Sequence, residues 1–538
     1  MTIRNVVWCN RTVYDSDHVS FIFQDNAPTH FFFRFITVSM QASSTITSTS
    51  STCTTGSCRS KDGLRLEVEQ QHGELLREEL FVQPRFQMLA SMAGNILEWY
   101  DFAVFGFFAD IIGQVFFPSQ QHQDSSSSSS TTTMYQQQSQ QEQEQHFDQI
   151  LKSFAIFGGA FLMRPIGGML MGWIGDRYGR KKALEISIFL MAMPTFAMGC
   201  LPTPHQVGRR WSVVLLILVR LLQGLSVGGQ LVSSLVYTLE QQKDRSAWGL
   251  YGSYVLASAN FGTLLGGLVA ASLRAALTEQ QMLHYGWRLP FLSGILVSIC
   301  GFYLKYACHE DFHPSTTASM KNPWTQACSN VRALVASCLV PMVWAAGFYM
   351  SFVWMSIYME KLVTPPVPYA FWVNSCALLV LCLFFPAAGI LSDRHGRSRV
   401  MTIGGFAFAV MAPLCFVLIG RGDAILAFCA QSCLGICLSL WGAPMMAWLV
   451  EHFPSDARLT SVAIGYNVAQ SIMGGATPSI ATLMSMNDVW YANPGLLLMV
   501  IALCSLFGLH CVATTTMARR ELLAQDDEAS QGQHFCYS

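Results

Sequence analysis

Charged side chains buried in long apolar runs are where this chain could do chemistry. Glu98 and Asp101 stand three residues apart on one face of a helical run; Arg164 lies in the second run and Arg220 in the fourth. At the centre of a membrane span such a residue costs about 2.5–3.5 kcal/mol, so it keeps a partner and a task. At ~1.5 Å per residue, Glu98 and Asp101 lie about 13 and 18 Å from the cytoplasmic end of their run. Arg164 lies about 12 Å from the same side, and Arg220 about 12 Å from the outer side. The matched depths predict an ion pair between Arg164 and Glu98 or Asp101. A carboxylate in this setting can bind and release a coupling proton. An arginine can grip an anionic substrate group through two parallel hydrogen bonds. The plainer alternative is a set of structural ion pairs. Asp110, nearer the outer end and half a helical turn round from Asp101, is expected to cap a helix or face a vestibule.

No nucleophile–base pair, phosphate loop or metal spacing accompanies these residues, so neither an enzyme nor a cofactor or metal site is expected. Ser226, Ser233 and Ser234 lack a nearby histidine. The 17 cysteines are scattered, and Cys429, Cys433 and Cys437 share one helical face as packing residues.

The elements that must hold these charges are membrane helices. Of 538 residues, 52% are hydrophobic and only 12% charged, where a soluble domain carries about 25% charged residues. A net charge of −1 gives no reason to expect a nucleic-acid partner. Twelve apolar segments, most near the ~20 residues of a bilayer crossing, lie at about 88–117, 150–173, 182–201, 212–238, 247–274, 288–308, 331–358, 368–391, 400–419, 424–450, 458–484 and 493–515. The fold expected is an all-α membrane protein, with twelve transmembrane helices in two pseudo-symmetric six-helix bundles. The division expected is a cytoplasmic, largely disordered N-terminal region (1–86), a first bundle (87–308) with a low-complexity outer loop (119–149), a cytoplasmic linker (309–329), a second bundle (330–516) and a cytoplasmic tail (517–538). A short amphipathic surface helix is expected from Leu64 to Leu80.

A charged string occurs twice, GWIGDRYGRKK (Gly172 to Lys182) and GILSDRHGRSR (Gly389 to Arg399), its aspartates Asp176 and Asp393 occupying corresponding places in the two halves. In each copy a glycine, Gly179 or Gly396, permits a tight turn. Asp176 can cap or pair with a neighbouring helix end. Gly172, Asp176, Arg177, Gly179 and Arg180, with Asp393, Arg394, Gly396 and Arg397, are the candidate gating loops. A latch through Asp176 and Arg180 is expected, with the looser second copy doing less. Arginine and lysine gather on one side of the alternating helices, which is therefore cytoplasmic and holds both termini; Arg209 and Arg210 break the pattern. The second half offers aromatic and amide side chains instead of charges: Trp344, Tyr349, Trp354, Tyr358, Asn374, Gln431, Trp441, Tyr466, Asn467 and Gln470. Asn467 and Gln470, three apart on one face, are the preferred polar candidates there, beside Trp344 and Tyr349 as a wall for the solute.

The repeated loop resembles the cytoplasmic signature of the major facilitator superfamily. GNILEWYDFAVFGFFADIIGQVFFP, RPIGGMLMGWIGDRYGRKK, RLLQGLSVGGQ and GWRLPFLSG resemble its metabolite–proton symporters, which include carriers of proline and betaine, 2-oxoglutarate, citrate and shikimate. The resemblance is strongest in the first six helices. It implies a secondary transporter, functional as a monomer in the lipid bilayer of the plasma membrane or an organelle, that moves a small organic solute with a proton by alternating access. Gln230 stands where the family usually has glutamate, and a neutral amide cannot titrate. A proton-independent facilitator is therefore the first alternative, and a non-transporting nutrient receptor the second. The sequence NFGTLLGG (Asn260 to Gly267) lacks the Gly-Pro kink of drug–proton antiporters, which favours uptake over export.

Overall fold

The computed structural model describes residues 13–15, 18–20, 84–118, 131–242, 244–292, 331–454, 457–485 and 493–511. The chain forms two units, Met1–Leu80 and Phe81–Ser538. In the first, β1 (Val13–Asp15) pairs antiparallel with β2 (His18–Ser20), Tyr14 opposite Val19. The surface helix expected at 64–80, the linker 309–329, the tail 517–538 and the sixth apolar segment beyond Leu292 lie outside the described residues.

The second unit is helical because its long apolar runs must satisfy every backbone group internally once in lipid. Its main helices are α1 (Pro84–Phe107), α2 (Ala109–Phe116), α3 (Thr131–Phe161), α4 (Arg164–Tyr178), α5 (Arg180–Gly199), α6 (Arg209–Glu240) and α7 (Trp248–Ala276). The second half supplies α8 (Val331–Leu362), α9 (Ala370–His395), α10 (Arg397–Ile419), α11 (Ala424–Glu451), α12 (458–485) and α13 (Pro494–Cys511). Eight helical stretches among the described residues are long and apolar enough to cross a bilayer. Burial is inverted relative to a soluble protein: Leu383, Phe406 and Phe507 are each more than 60% exposed, while Glu98, Asp101, Arg164 and Arg220 are at most 1% exposed. An exposed apolar surface of this kind is what lipid covers.

One expected loop is partly helix. Residues 131–149 of the Ser/Gln tract form the first turns of α3, since glutamine and glutamate are good helix formers and run directly into an apolar span. Residues 119–130 lie outside the described residues.

Three helices depart from regular geometry near the centre of the unit. The break between α3 and α4 follows from Pro165, which has no amide to donate, and leaves the amides of Leu162 and Met163 on carbonyls three residues back, Gly159 at 3.2 Å and Ala160 at 3.3 Å. Arg164 is the first residue after that break. Tyr349–Trp354 in α8 and Gln470–Gly474 in α12 wind as π turns. Such turns are single-turn insertions that recur at functional sites.

Glycines set how closely the helices approach. A Cβ at Gly262 would strike the Ile96 carbonyl, so α7 lies directly on α1, and one at Gly167 would strike the Leu225 carbonyl on α6. Gly159, the same residue type on the same span, has nothing within 4 Å.

Candidate functional site

Arg164 is fully buried where the two halves meet, but it is not in an ion pair with Glu98 or Asp101 as the matched depths predicted. Its Nη1 donates to the Tyr349 hydroxyl at 3.3 Å and its Nε to Asn467 Oδ1 at 3.4 Å, both in the second half. The break before Arg164 fixes where the side chain leaves the helix, and this carries it across the interface instead of back to α1. The guanidinium lies over Phe161 at 5.3 Å, Phe102 at 5.9 Å and Trp99 at 6.0 Å. Trp99 stacks on Tyr349 with centroids 6.2 Å apart, and Phe161 meets Tyr349 edge-on at 4.9 Å. Asn467 is itself anchored, its Nδ2 donating to the Gly228 carbonyl at 2.6 Å and to Ala463 at 2.8 Å. Glu98 lies in the field of Arg164 and Asp101. Tyr466, which sequence reasoning noted but did not select, stands beside Trp344 and Gln470 in the field of Arg164 and Glu98. Both Glu98 carboxylate oxygens, Arg164 Nη2, the Tyr466 hydroxyl and the Gln470 amide are buried and make no hydrogen bond to the described residues. A buried carboxyl group and a buried guanidinium, with aromatic rings and hydroxyls around them, thus have hydrogen-bonding capacity to spare.

Asp101 and Arg220 form a second cluster, joined to the first through Phe102, whose ring lies near both guanidinium groups, 5.9 Å from that of Arg164 and 5.0 Å from that of Arg220. Arg220 Nη1 donates to Gln223 Oε1 at 2.7 Å, and Gln223 Nε2 to the Thr195 hydroxyl at 3.0 Å; Asp101 lies beside that same threonine. Arg220 sits over the Phe105 ring at 4.0 Å. Gln230 is buried, with its Oε1 likewise unbonded among the described residues.

At the outer side Asp110, in the first turn of α2, is buried and does not face a vestibule. Arg274 of α7 holds it bidentately, Nη2 to Oδ1 at 2.6 Å and Nη1 to Oδ2 at 3.1 Å, and also reaches Glu360 of the second half at 3.5 Å. The Arg274 guanidinium lies 4.3 Å from the Phe371 ring centroid, also in the second half. Sequence reasoning missed Arg274; its signal was a lone arginine near the outer end of a span, at the level of Asp110.

At the cytoplasmic side the two repeated loops do the same thing to opposite halves. Gly179 and Gly396 each turn the chain at positive φ, 106° and 93°, where a side chain would be strained. Asp176 Oδ2 accepts the Thr460 amide at 2.9 Å and the Thr460 hydroxyl at 2.6 Å, capping the start of α12. Asp393 accepts the Gly249 and Leu250 amides at 2.9 Å each, capping the start of α7. Each aspartate caps a helix of the other half, in trans, at the positive end of its dipole. A Cβ on Gly172 would lie 2.9 Å from Thr460 Cα, and one on Gly389 would lie 2.7 Å from the Gly249 carbonyl, so glycine makes each approach feasible.

The second copy carries a network of its own. Asp393 also accepts from Arg397 at 2.6 Å, and Arg397 continues to Glu451 and to the Arg245 carbonyl. The Arg180 side chain lies outside the described residues; the described partner that crosses to the other half from Asp176 is Thr460. Arg177 and Arg394 are exposed. A further link across the halves, Arg458 to Glu240 at 2.9 Å, lies on the same side.

A family described as the Major Facilitator Superfamily matches residues 125–478. The chain is 28% identical over 439 residues to a proline/betaine transporter of Salmonella typhimurium, covering 78% of this chain and 82% of that protein. It is 28% identical over 436 residues to a glycine betaine/proline/ectoine/pipecolic acid transporter of Dickeya dadantii, with the same coverage. Among solved structures, the proton:xylose symporter XylE, an E. coli protein, superposes with a TM-score of 0.59 at 16% identity, over 79% of this chain and 94% of that one. That likeness is one of fold.

Proposed function

The chain belongs to the major facilitator superfamily, a multi-pass membrane transporter and not an enzyme, and on that premise we propose that it carries a small zwitterionic or carboxylate solute together with a proton by alternating access. One observation carries this reading. Glu98 and Arg164 are buried at the junction of the halves in each other's field, yet neither is closed into an ion pair. Arg164 Nη2 is placed to hold a solute carboxylate, and the rings of Trp99, Phe161 and Tyr349 to pack against its body or a quaternary ammonium. Glu98 is the proposed proton site. Protonation there removes a charge that would repel a carboxylate and strengthens its hold on Arg164. Gln470 and Tyr466 supply further hydrogen bonds. The aspartate caps close the inner gate and the Arg274–Glu360 contact the outer one; solute and proton together shift the balance between them. The names of the proline/betaine relatives and of the proton:xylose symporter support the solute class and the coupling. Bacterial relatives of this kind favour the plasma membrane, and the basic loops favour cytoplasmic termini.

The test uses the full chain in proteoliposomes with a pH gradient, offering proline, glycine betaine, 2-oxoglutarate, citrate and shikimate. Accumulation of one of them should vanish when the gradient is collapsed. Glu98→Gln should lose accumulation and keep solute counterflow. If uptake equilibrates identically with and without the gradient, the protein is a facilitator, the reading that the neutral Gln230 favours.

A further inference from the structure

Within the first half, a line of buried polar groups runs inward from Glu98 that the solute site does not use. Asn95 lies one helical turn toward the cytoplasm from Glu98 on α1, and its Nδ2 donates to the Ser234 hydroxyl of α6 at 2.8 Å and to the Ser258 hydroxyl of α7 at 3.5 Å. On α6, Gln230, Ser234 and Thr238 follow at four-residue steps, on one face and toward the cytoplasm. All six side chains are at most 4% exposed. Asn95 Oδ1, Gln230 Oε1 and the Thr238 hydroxyl make no hydrogen bond to the described residues. Three helices would not bury this many hydrogen-bonding groups only to pack, because each unsatisfied one costs about 1–3 kcal/mol. Oxygens in such a line hold water, and water together with hydroxyls relays protons.

We propose that this line is the route by which the coupling proton leaves Glu98 for the cytoplasm, with Asn95 as its valve. The inference rests on Glu98 as the proton site. The Glu98 O–H bond breaks, the proton passes to water held at Gln230 and Asn95, and it continues by way of Ser234 and Thr238, leaving the carboxylate behind. The route lies wholly inside the first half, whereas the solute leaves between the halves, so proton and solute part at Glu98. In the conformation seen here the valve is shut. Both hydroxyls beside Asn95 accept from its amide nitrogen, whose N–H protons are too weakly acidic to hop, and the lone pair that would take a proton from water is occupied. The amide must turn before the line conducts. The charged groups acting on Glu98 are Arg164 and Asp101, with the hydroxyls of Tyr349 and Tyr466 nearby, and none lies on the proposed route.

Time-resolved infrared spectroscopy of the full chain in lipid nanodiscs after a pH jump reads this without any solute. The protonated-carboxyl band missing in Glu98→Gln reports Glu98. Asn95→Ala, which removes the valve, should speed its relaxation about tenfold, and Thr238→Val, which removes a hydroxyl without changing shape, should slow it about tenfold. Ser439→Ala, a buried hydroxyl in the second half, should leave it unchanged. Opposite signs cannot come from a general loss of packing. If Glu98 titrates but both route variants relax like the parent, or both are slowed alike, the route is wrong and the proton site stands. If no band is lost in Glu98→Gln, the proton site itself is wrong and the route falls with it.

Discussion

Removing one trans cap should loosen the helix on the other side of the gate as well as its own. Asp176→Ala deletes the carboxylate that accepts the Thr460 amide and hydroxyl, two contacts that join the halves at the cytoplasmic side. An N-cap is worth about 0.5–2 kcal/mol and a hydrogen bond to a charged group about 1.5–3 kcal/mol, so about 2 kcal/mol is a fair figure for a partly exposed cap. That shifts the open-to-closed ratio about 30-fold. Amide hydrogen exchange measures it directly, because the capped amides exchange only through opening. Thr460, stripped of its acceptor, should exchange fastest of all, and exchange at Gly249 and Leu250, which Asp393 still caps, should rise about 30-fold, since one rigid-body closure makes both sets of contacts. Asp393→Ala should loosen both sets of amides in the same way, having two amides and Arg397 to release. Solute affinity should change little, because neither aspartate touches the central residues. If Asp176→Ala accelerates Thr460 alone and leaves Gly249 and Leu250 protected, the two loops are independent local caps and not one gate.

The outer network should split by partner. Arg274→Leu leaves Asp110, 1% exposed, charged and without its counterion, which should cost about 3–5 kcal/mol of stability and lower the thermal midpoint in nanodiscs; Glu360→Gln, at a contact worth at most ~1 kcal/mol, should leave that midpoint nearly unchanged. Gly168→Ala should weaken solute binding about tenfold by calorimetry, because its Cβ would strike the Asn467 amide that steadies Arg164, whereas Gly159→Ala should bind like the parent. His452, just beyond the cytoplasmic end of α11, is half-buried, and that partial desolvation holds its imidazole below the usual value near 6.5 despite the Trp448 carbonyl and Glu451. Protonation therefore favours the unfolded chain, so stability should decline as pH falls below about 6.5, and His452→Gln should flatten that slope in thermal unfolding between about pH 8 and 5.5.

The spans were legible because bilayer thickness dictates the length of an apolar run, and the candidate charges because lipid makes each one costly. Depth along a helix can be counted, but direction around it cannot once the helix is broken. Each residue turns a regular helix by about 100°, and the break before Arg164 and the π turns beginning at Tyr349 and Gln470 reset that count at the residues that form the site. This is why the depths of Arg164 and Glu98 matched while Arg164 bonded to Tyr349 and Asn467 instead. Asp110 found Arg274, 164 positions away, for a related reason: two helices that touch at Gly262 and Gly266 share a level that spacing in the chain does not reveal. The repeated loops hid their partners in a different way. Serine at 392 and at 398 made the second copy look looser, on the assumption that side chains make the latch. The atoms Asp393 grips in the other half are the backbone amides of Gly249 and Leu250. An amide acceptor leaves no trace in the identity of the residues that donate to it, except where a glycine is needed to let it approach. Gly249 is that trace, since its Cβ would lie 2.6 Å from Asp393 Oδ1. In the second copy, then, a glycine at the start of a transmembrane helix marks the amide that a loop aspartate of the other half caps; in the first the cap falls on Thr460 and leaves no such mark.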